Sequence, residues 1–191
     1  MSRIQVIHED QSGSELRDIY EKIEENGAKI LNLCRVLAHT PNVLRNFLQL
    51  GSSLIAKAGL SPKLRELVVL RVAKLTGSKY EWAQHYPTAL EVGVSHEQTE
   101  VISHWSDSTK CNDKERAVLQ YTDEVAQNIE VRDETFRRLR QHLNDQSIVE
   151  LTLSIGYWGM AARLLVPLQV DIAIHSISSV QEFIGRKSHP R

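Results

Sequence analysis

Apolar residues recur along this chain at three- and four-residue intervals, with polar residues filling the gaps. That is the period of an amphipathic helix, and the two-residue alternation of a strand is nearly absent. Start and stop signals cut the pattern into segments. Ser14 can cap a helix through "ELRDIYEKIEEN", closed near Gly27, and a second helical pattern follows in "AKILNLCRVLAH". In "TPNVLRNFLQLGSSLIAKAG", Thr40 stands at the N-cap, Pro41 at the first helical position and Gly59 at the stop. Ser61, Pro62 and Gly77 repeat that syntax around "LRELVVLRVAKLT". Apolar side chains cover most of that helix's circumference, which predicts a position deep in the core.

Gly77 is followed at once by "SKYEWAQHYPTALEVG", where Ser78 opens the next helix and Gly93 ends it. Ser95 with Gln98, and Asn112 with Glu115, have the spacing of capping boxes. Asp133 can cap "ETFRRLRQHL", and Asn144 can cap the apolar run "QSIVELTLSIGYWGMAARLLV", which Pro167 helps to stop. The pattern predicts an all-α fold, a bundle of about seven to nine helices. Residues 1–36 are read as a helical N-terminal extension and 37–170 as the main domain. "QVDIAIHSISS" alternates like a strand, but a lone strand has no neighbour in a helical chain. Residues 171–191 are therefore read as an arm or short helix that packs on a partner.

Composition narrows the partners. A net charge of -1 gives no reason to expect nucleic acid or an anionic membrane. The basic cluster Arg137–Arg140 is flanked by acids and reads as a solvated helix face. Cys34 and Cys111 are far apart and form no CxxC pair, so a disulfide scaffold, a zinc knuckle and a dithiol site lack sequence support. The first residues contain no apolar leader pattern, and no run reaches the roughly 18 apolar residues of a membrane span. The expectation is a soluble, cytoplasmic protein of ordinary composition.

"SKYEWAQH" admits two readings. In one, Ser78 and Glu81 form a capping box, S-x-x-E, and His85 is an incidental polar residue. In the other, Glu81 and His85 lie one turn apart on one face and share a substrate. The helix N-terminus would then hold Glu81 ionised and lower the histidine's pKa, while Glu81 raises it. Such a balance suits general acid–base chemistry. Pro87 removes the amide that would bond to the Ala83 carbonyl, so a kinked wall beside the site is conceivable. Arg71 is read as a core ion pair or a carboxylate binder, and Trp82 as core or pocket wall.

The stretch "SPKLRELVVLRVAKLTGSKYEWAQHYPTALEVGVS" resembles the carboxymuconolactone decarboxylase-like family, which also contains the alkylhydroperoxidase D proteins. The likeness is specific over Leu60 to Ser95 and extends, more weakly, from Leu37 to the terminal "LVPL". In the peroxidase branch this helix starts with C-x-x-C-x-x-x-H, and a glutamate one helix earlier completes a proton relay. Anchored on His85 and Gly93, the two cysteine positions are Ser78 and Glu81, and the relay glutamate corresponds to Glu66. Serine and carboxylate cannot cycle between dithiol and disulfide, so the resemblance points to the branch that works without metal or organic cofactor. It implies a lyase or isomerase acting on a small oxo-acid, lactone or related enolisable compound. His85, Glu81 and Glu66 are the implied catalytic residues and Ser78 and Tyr80 the implied substrate contacts. It also implies a homo-oligomer, trimer or hexamer. By periodicity alone Glu66 is equally well a solvated residue paired with Lys63. A metal-dependent hydrolase with Glu66, Glu81 and His85 as ligands, or a non-catalytic helical module, are the rival readings.

Overall fold

The computed structural model describes residues 2–56 and 58–172. Among these, nine α-helices and two short 3-10 segments form the fold, with no strand. They are α1 (Ser14–Glu25), α2 (Asn32–Leu37), α3 (Pro41–Ala56), α4 (Pro62–Thr76), α5 (Lys79–Glu91), α6 (His96–Val101), α7 (Asp113–Asn128), α8 (Asp133–Arg140) and α9 (Asp145–Leu165). Among the described residues, no helix is long and apolar enough to cross a membrane.

α4 is the axis of the bundle, packed against α5, α7 and α9. Its start and end follow from its caps. Ser61 accepts the Leu64 amide at 3.3 Å, Pro62 takes the first turn, and Gly77 closes the helix at φ 69°. That left-handed conformation strains any residue with a Cβ, which is why glycine ends the helix here. Every residue from Leu64 to Ala73 is buried, as the all-round apolar pattern predicts. Truncating a fully buried leucine such as Leu67 costs about 2–5 kcal/mol in a core of this kind.

The other caps hold with small shifts. Ser95–Gln98 and Asn112–Glu115 are capping boxes, and Asn144 accepts the Ser147 amide at 2.8 Å. At α1 and α8, Gly13 and Arg132 are the N-caps, so Ser14 and Asp133 are the first helical residues rather than the caps. α2 is shorter than its apolar pattern, because Ala28–Leu31 run outside the helix. α5 continues through Pro87 to Glu91, so the proline does not end it.

Leu16, Ile19 and Tyr20 of α1 are buried in the same apolar cluster as Val68 and Val69 of α4 and Leu151 of α9. The N-terminal residues are thus packed into the main core. Ser2 and Arg3 also bind the chain after α9, through Asp171 and the Leu168 carbonyl. The rest of the C-terminal arm, from 173 on, lies outside the described residues. A second cluster, built on Leu67, Leu70, Trp82 and Ile102, fills the space on the far side of α4. Gly51 of α3 lets Tyr157 of α9 approach so closely that an added Cβ would overlap its ring, and the Tyr157 hydroxyl donates to the Phe47 carbonyl at 3.1 Å. This contact fixes how far α3 stands from α9, and so the width of the hollow between them.

Candidate active site

The glycine that ends α4 turns the chain directly into α5, where Ser78 accepts the Glu81 amide at 3.4 Å. Only half of a capping box forms. The Ser78 amide donates to the Ala73 carbonyl at 2.9 Å, and Glu81 does not reach back. The Glu81 side chain turns inward instead, in a residue only 3% exposed, and among the described residues neither carboxyl oxygen has a hydrogen-bond partner. Burial pushes its pKa up to about 8, with the nearby Ser78 hydroxyl pulling the other way. The sequence expectation that the helix N-terminus keeps Glu81 ionised is therefore overturned. Loss of water around the carboxyl outweighs the dipole's half charge.

His85, a turn further along, is bound at both ring nitrogens, and Glu81 is neither partner. Its Nδ1 lies 2.8 Å from Glu66 Oε2, and its Nε2 accepts the Trp158 indole N–H at 3.0 Å. An indole nitrogen can only donate, so Nε2 is unprotonated and Nδ1–H donates to Glu66. Glu66 is itself 2% exposed, and its other oxygen accepts from Arg65 Nε at 3.3 Å. The alternative of a solvated Glu66 paired with Lys63 is thus excluded, since Lys63 binds Glu115 at 2.7 Å. α4 is buried on all sides, so a glutamate on it has no route to water. Arg71 is the core ion pair. Its guanidinium grips both Asp123 oxygens, at 2.6 and 2.9 Å, and donates to the Ile102 and Ser103 carbonyls.

Glu81, Gln84 and His85 line a cavity of about 170 Å³. α3 supplies Phe47, Leu48 and Ile55, and α9 supplies Tyr157, Trp158, Ala161 and Leu165. Leu31 and the α2 residues Leu33 and Cys34 close it, so the first 35 residues contribute a wall. The Tyr80 ring is part of the lining, while its hydroxyl accepts the Leu33 amide at 3.2 Å. Burial raises that phenol's pKa to about 12. Ser78 is not among the lining residues, and its hydroxyl serves the α5 cap. Trp82 is core, in the cluster on the far side of α4.

The structure thus brings Glu66, Glu81, His85 and Tyr80 together and leaves Ser78 to one side. Sequence reasoning missed Trp158 and Arg65. Trp158 sits in an apolar helix where an aromatic reads as core, and only its indole N–H hinted at a needed partner. Arg65 stands beside Glu66 in the one helix with no polar face, a signal that both must be paired.

With this architecture the described chain has an alkylhydroperoxidase D-like fold. It superimposes on the alkylhydroperoxidase D core of a peroxidase-related protein from Ralstonia eutropha JMP134 with a TM-score of 0.79, at 19% identity, covering 92% of this chain and 94% of that one. The debrominase Bmp8 aligns with a TM-score of 0.75 at 16% identity, over 93% of this chain and 96% of that one. The model of the carboxymuconolactone decarboxylase family matches residues 41–124, the segment that carries Glu66, Glu81 and His85. The uncharacterized protein YdfG of Bacillus subtilis is similar over 102 residues at 23% identity, spanning 52% of this chain and 69% of that protein.

The raised Glu81 pKa has a consequence for stability. An unfolded glutamate ionises near 4.5, whereas the folded one stays protonated to about 8, so the folded state binds the extra proton between those values. This contribution is complete below 4.5 and disappears as the pH rises through 8. Glu81→Gln should remove a loss of roughly 1–3 kcal/mol between pH 5 and 8. Urea denaturation of both proteins across that range measures it, and parallel stability curves would contradict the raised value.

Proposed function

We propose that this protein is a cofactor-independent enzyme, a lyase or isomerase, that moves protons on a small enolisable carbonyl compound. The observation that carries this reading is the Glu81 carboxyl, buried without a hydrogen-bond partner among the described residues and opening onto an apolar cavity beside an imidazole. A carboxyl that only capped α5 would be bonded to the Ser78 amide. This one is left unbonded in an apolar wall, at a cost a purely structural residue has no reason to carry.

The chemistry follows from the protonation states. Neutral Glu81 donates its proton to the carbonyl oxygen of a bound molecule. His85 Nε2, released by the Trp158 indole, takes a proton from the carbon beside that carbonyl. The product is an enol, with an imidazolium held by Glu66 and a carboxylate left at Glu81. Return of a proton to a different carbon isomerises the molecule. Loss of CO2 from a carboxylate β to the carbonyl would deliver the same enol, the decarboxylase variant of the scheme. The sequence leaves open whether Glu81 orients and tunes His85 or itself moves the proton. The hydrogen bonds favour a more equal division, with Glu81 as acid, His85 as base, and Glu66 positioning and stabilising the imidazole.

The rival readings have less behind them. Among the described residues no three His, Cys, Asp or Glu side chains converge as metal ligands would, and His85 is engaged at both nitrogens. Thiol peroxidase chemistry lacks its dithiol, since Cys34 and Cys111 are buried in separate apolar clusters. A homo-oligomer is supported by Val149, Leu153 and Met160, an exposed apolar row along α9 at spacings of four and seven. A gel-filtration mass near 21.7 kDa would contradict it. A cytoplasmic location is part of the same proposal.

To test the chemistry, a panel of ketones, lactones and β-keto acids in D2O would be scanned for deuterium uptake or CO2 release. Glu81→Gln and His85→Ala should each reduce the rate on any active compound by roughly 10²–10⁴-fold with folding intact. Rates unchanged in both variants would sink the assignment.

A further inference from the structure

We propose that the molecule this site acts on is uncharged and small, an enolisable ketone, aldehyde or lactone of about six to ten non-hydrogen atoms, and not a carboxylate. This rests on the acid–base reading above and narrows its substrate class. Three observations lead to it, and the first is size. A hollow of about 150 Å³ lined by leucine, isoleucine and phenylalanine holds a benzene-sized guest, and the present cavity of about 170 Å³ has the same kind of lining.

The second is the absence of a counter-charge. No lysine or arginine is among the described lining residues. The arginines on the surrounding helices are bound to protein acceptors. Arg65 donates to Glu66 and the Ile55 carbonyl, Arg35 to Glu9 at 2.6 Å and Asn32 at 3.3 Å, and Arg163 to the Gly159 carbonyl at 2.8 Å. A carboxylate entering here would lose its water against Phe47, Leu48 and Leu165 and meet no lysine or arginine among the described lining residues in return. An enzyme that recognises a carboxylate ordinarily offers the guanidinium fork that fits it.

The third is the handle that is present. Glu81 offers one unpartnered carboxyl to the cavity, and the matching group is a single neutral acceptor such as a carbonyl oxygen. Proton balance agrees. Glu81 gives a proton to oxygen and His85 takes one from carbon, so an uncharged substrate becomes an uncharged enol and no net charge enters the hollow. The reverse transfers at another carbon regenerate both residues. CO2 loss at neutral pH begins from an anion, so an uncharged substrate selects isomerisation over decarboxylation.

Acetophenone and benzoate test the proposal, having the same shape and number of non-hydrogen atoms but differing in charge. Binding is followed on the native protein through the Trp158 indole N–H signal in 1H–15N NMR, identified by its loss in Trp158→Phe. Acetophenone should shift that signal and bind at least about tenfold more tightly than benzoate. Benzoate binding as tightly, or acetophenone leaving the signal unmoved up to its solubility, would overturn the proposal. Deuterium exchange of the acetophenone methyl group separates it from the reading it rests on. Exchange should be faster with the wild-type protein than with Glu81→Gln. Tight acetophenone binding with equal exchange in both would overturn the acid–base reading and leave the preference for an uncharged guest standing.

Discussion

A helix buried on every side cannot carry an unpaired charge, and that constraint on α4 organises the rest of the molecule. Arg65, Glu66 and Arg71 all lie on its buried stretch. Arg71 closes on Asp123 of α7, whose second oxygen also accepts the Trp105 indole at 3.0 Å. Glu66 accepts from Arg65 on one oxygen and His85 on the other, and His85 in turn accepts from Trp158. The polar groups of one helix thereby tie it to α5, α7 and α9, and they set the orientation and tautomer of the imidazole. Glu81 is the exception to this rule of satisfaction. Among the described residues, a buried carboxyl with neither oxygen hydrogen-bonded fits a group kept for a ligand rather than for the fold.

Much of this could be read before any coordinates. The helical period, the Ser61–Pro62 start, the stops at Gly27, Gly77 and Gly93 and the paired caps at Ser95 and Asn112 hold, because each is a local rule acting on a few residues. The depth of α4 was legible for the same reason. What the chain alone could not show was which partner each polar side chain finds across the bundle. Glu66 looked as fit for Lys63 as for His85, since one-dimensional spacing is blind to a neighbour 19 positions away. Ser78 and Glu81 have the spacing of a reciprocal cap, yet the Ser78 amide is taken by the end of α4, and that loss frees the carboxyl. Trp158 was invisible as a site residue because a tryptophan in an apolar helix is indistinguishable from core until its nitrogen is located.

On the proposed reading, the same arrangement accounts for acid–base chemistry in a fold shared with peroxidase-related proteins. At the N-terminus of α5 a thiol would be activated by the helix end. A carboxyl placed there and then dehydrated behaves oppositely and is pushed toward its neutral form. The apolar walls contributed by α2, α3 and α9 both raise the Glu81 pKa and exclude charged guests. On the proposed reading, acid strength and substrate class are consequences of one lining. Gly51, by letting Tyr157 close in, holds that lining narrow.

The account stands on Glu81 being a protonated acid at neutral pH, and its titration can be followed directly. The side-chain carboxyl carbon, labelled with 13C and identified by its absence in Glu81→Gln, should change shift with a midpoint about 8. A midpoint near the ordinary glutamate value of 4.5 would mean a hydrated, ionised carboxylate and would contradict the proposed chemistry at its first step.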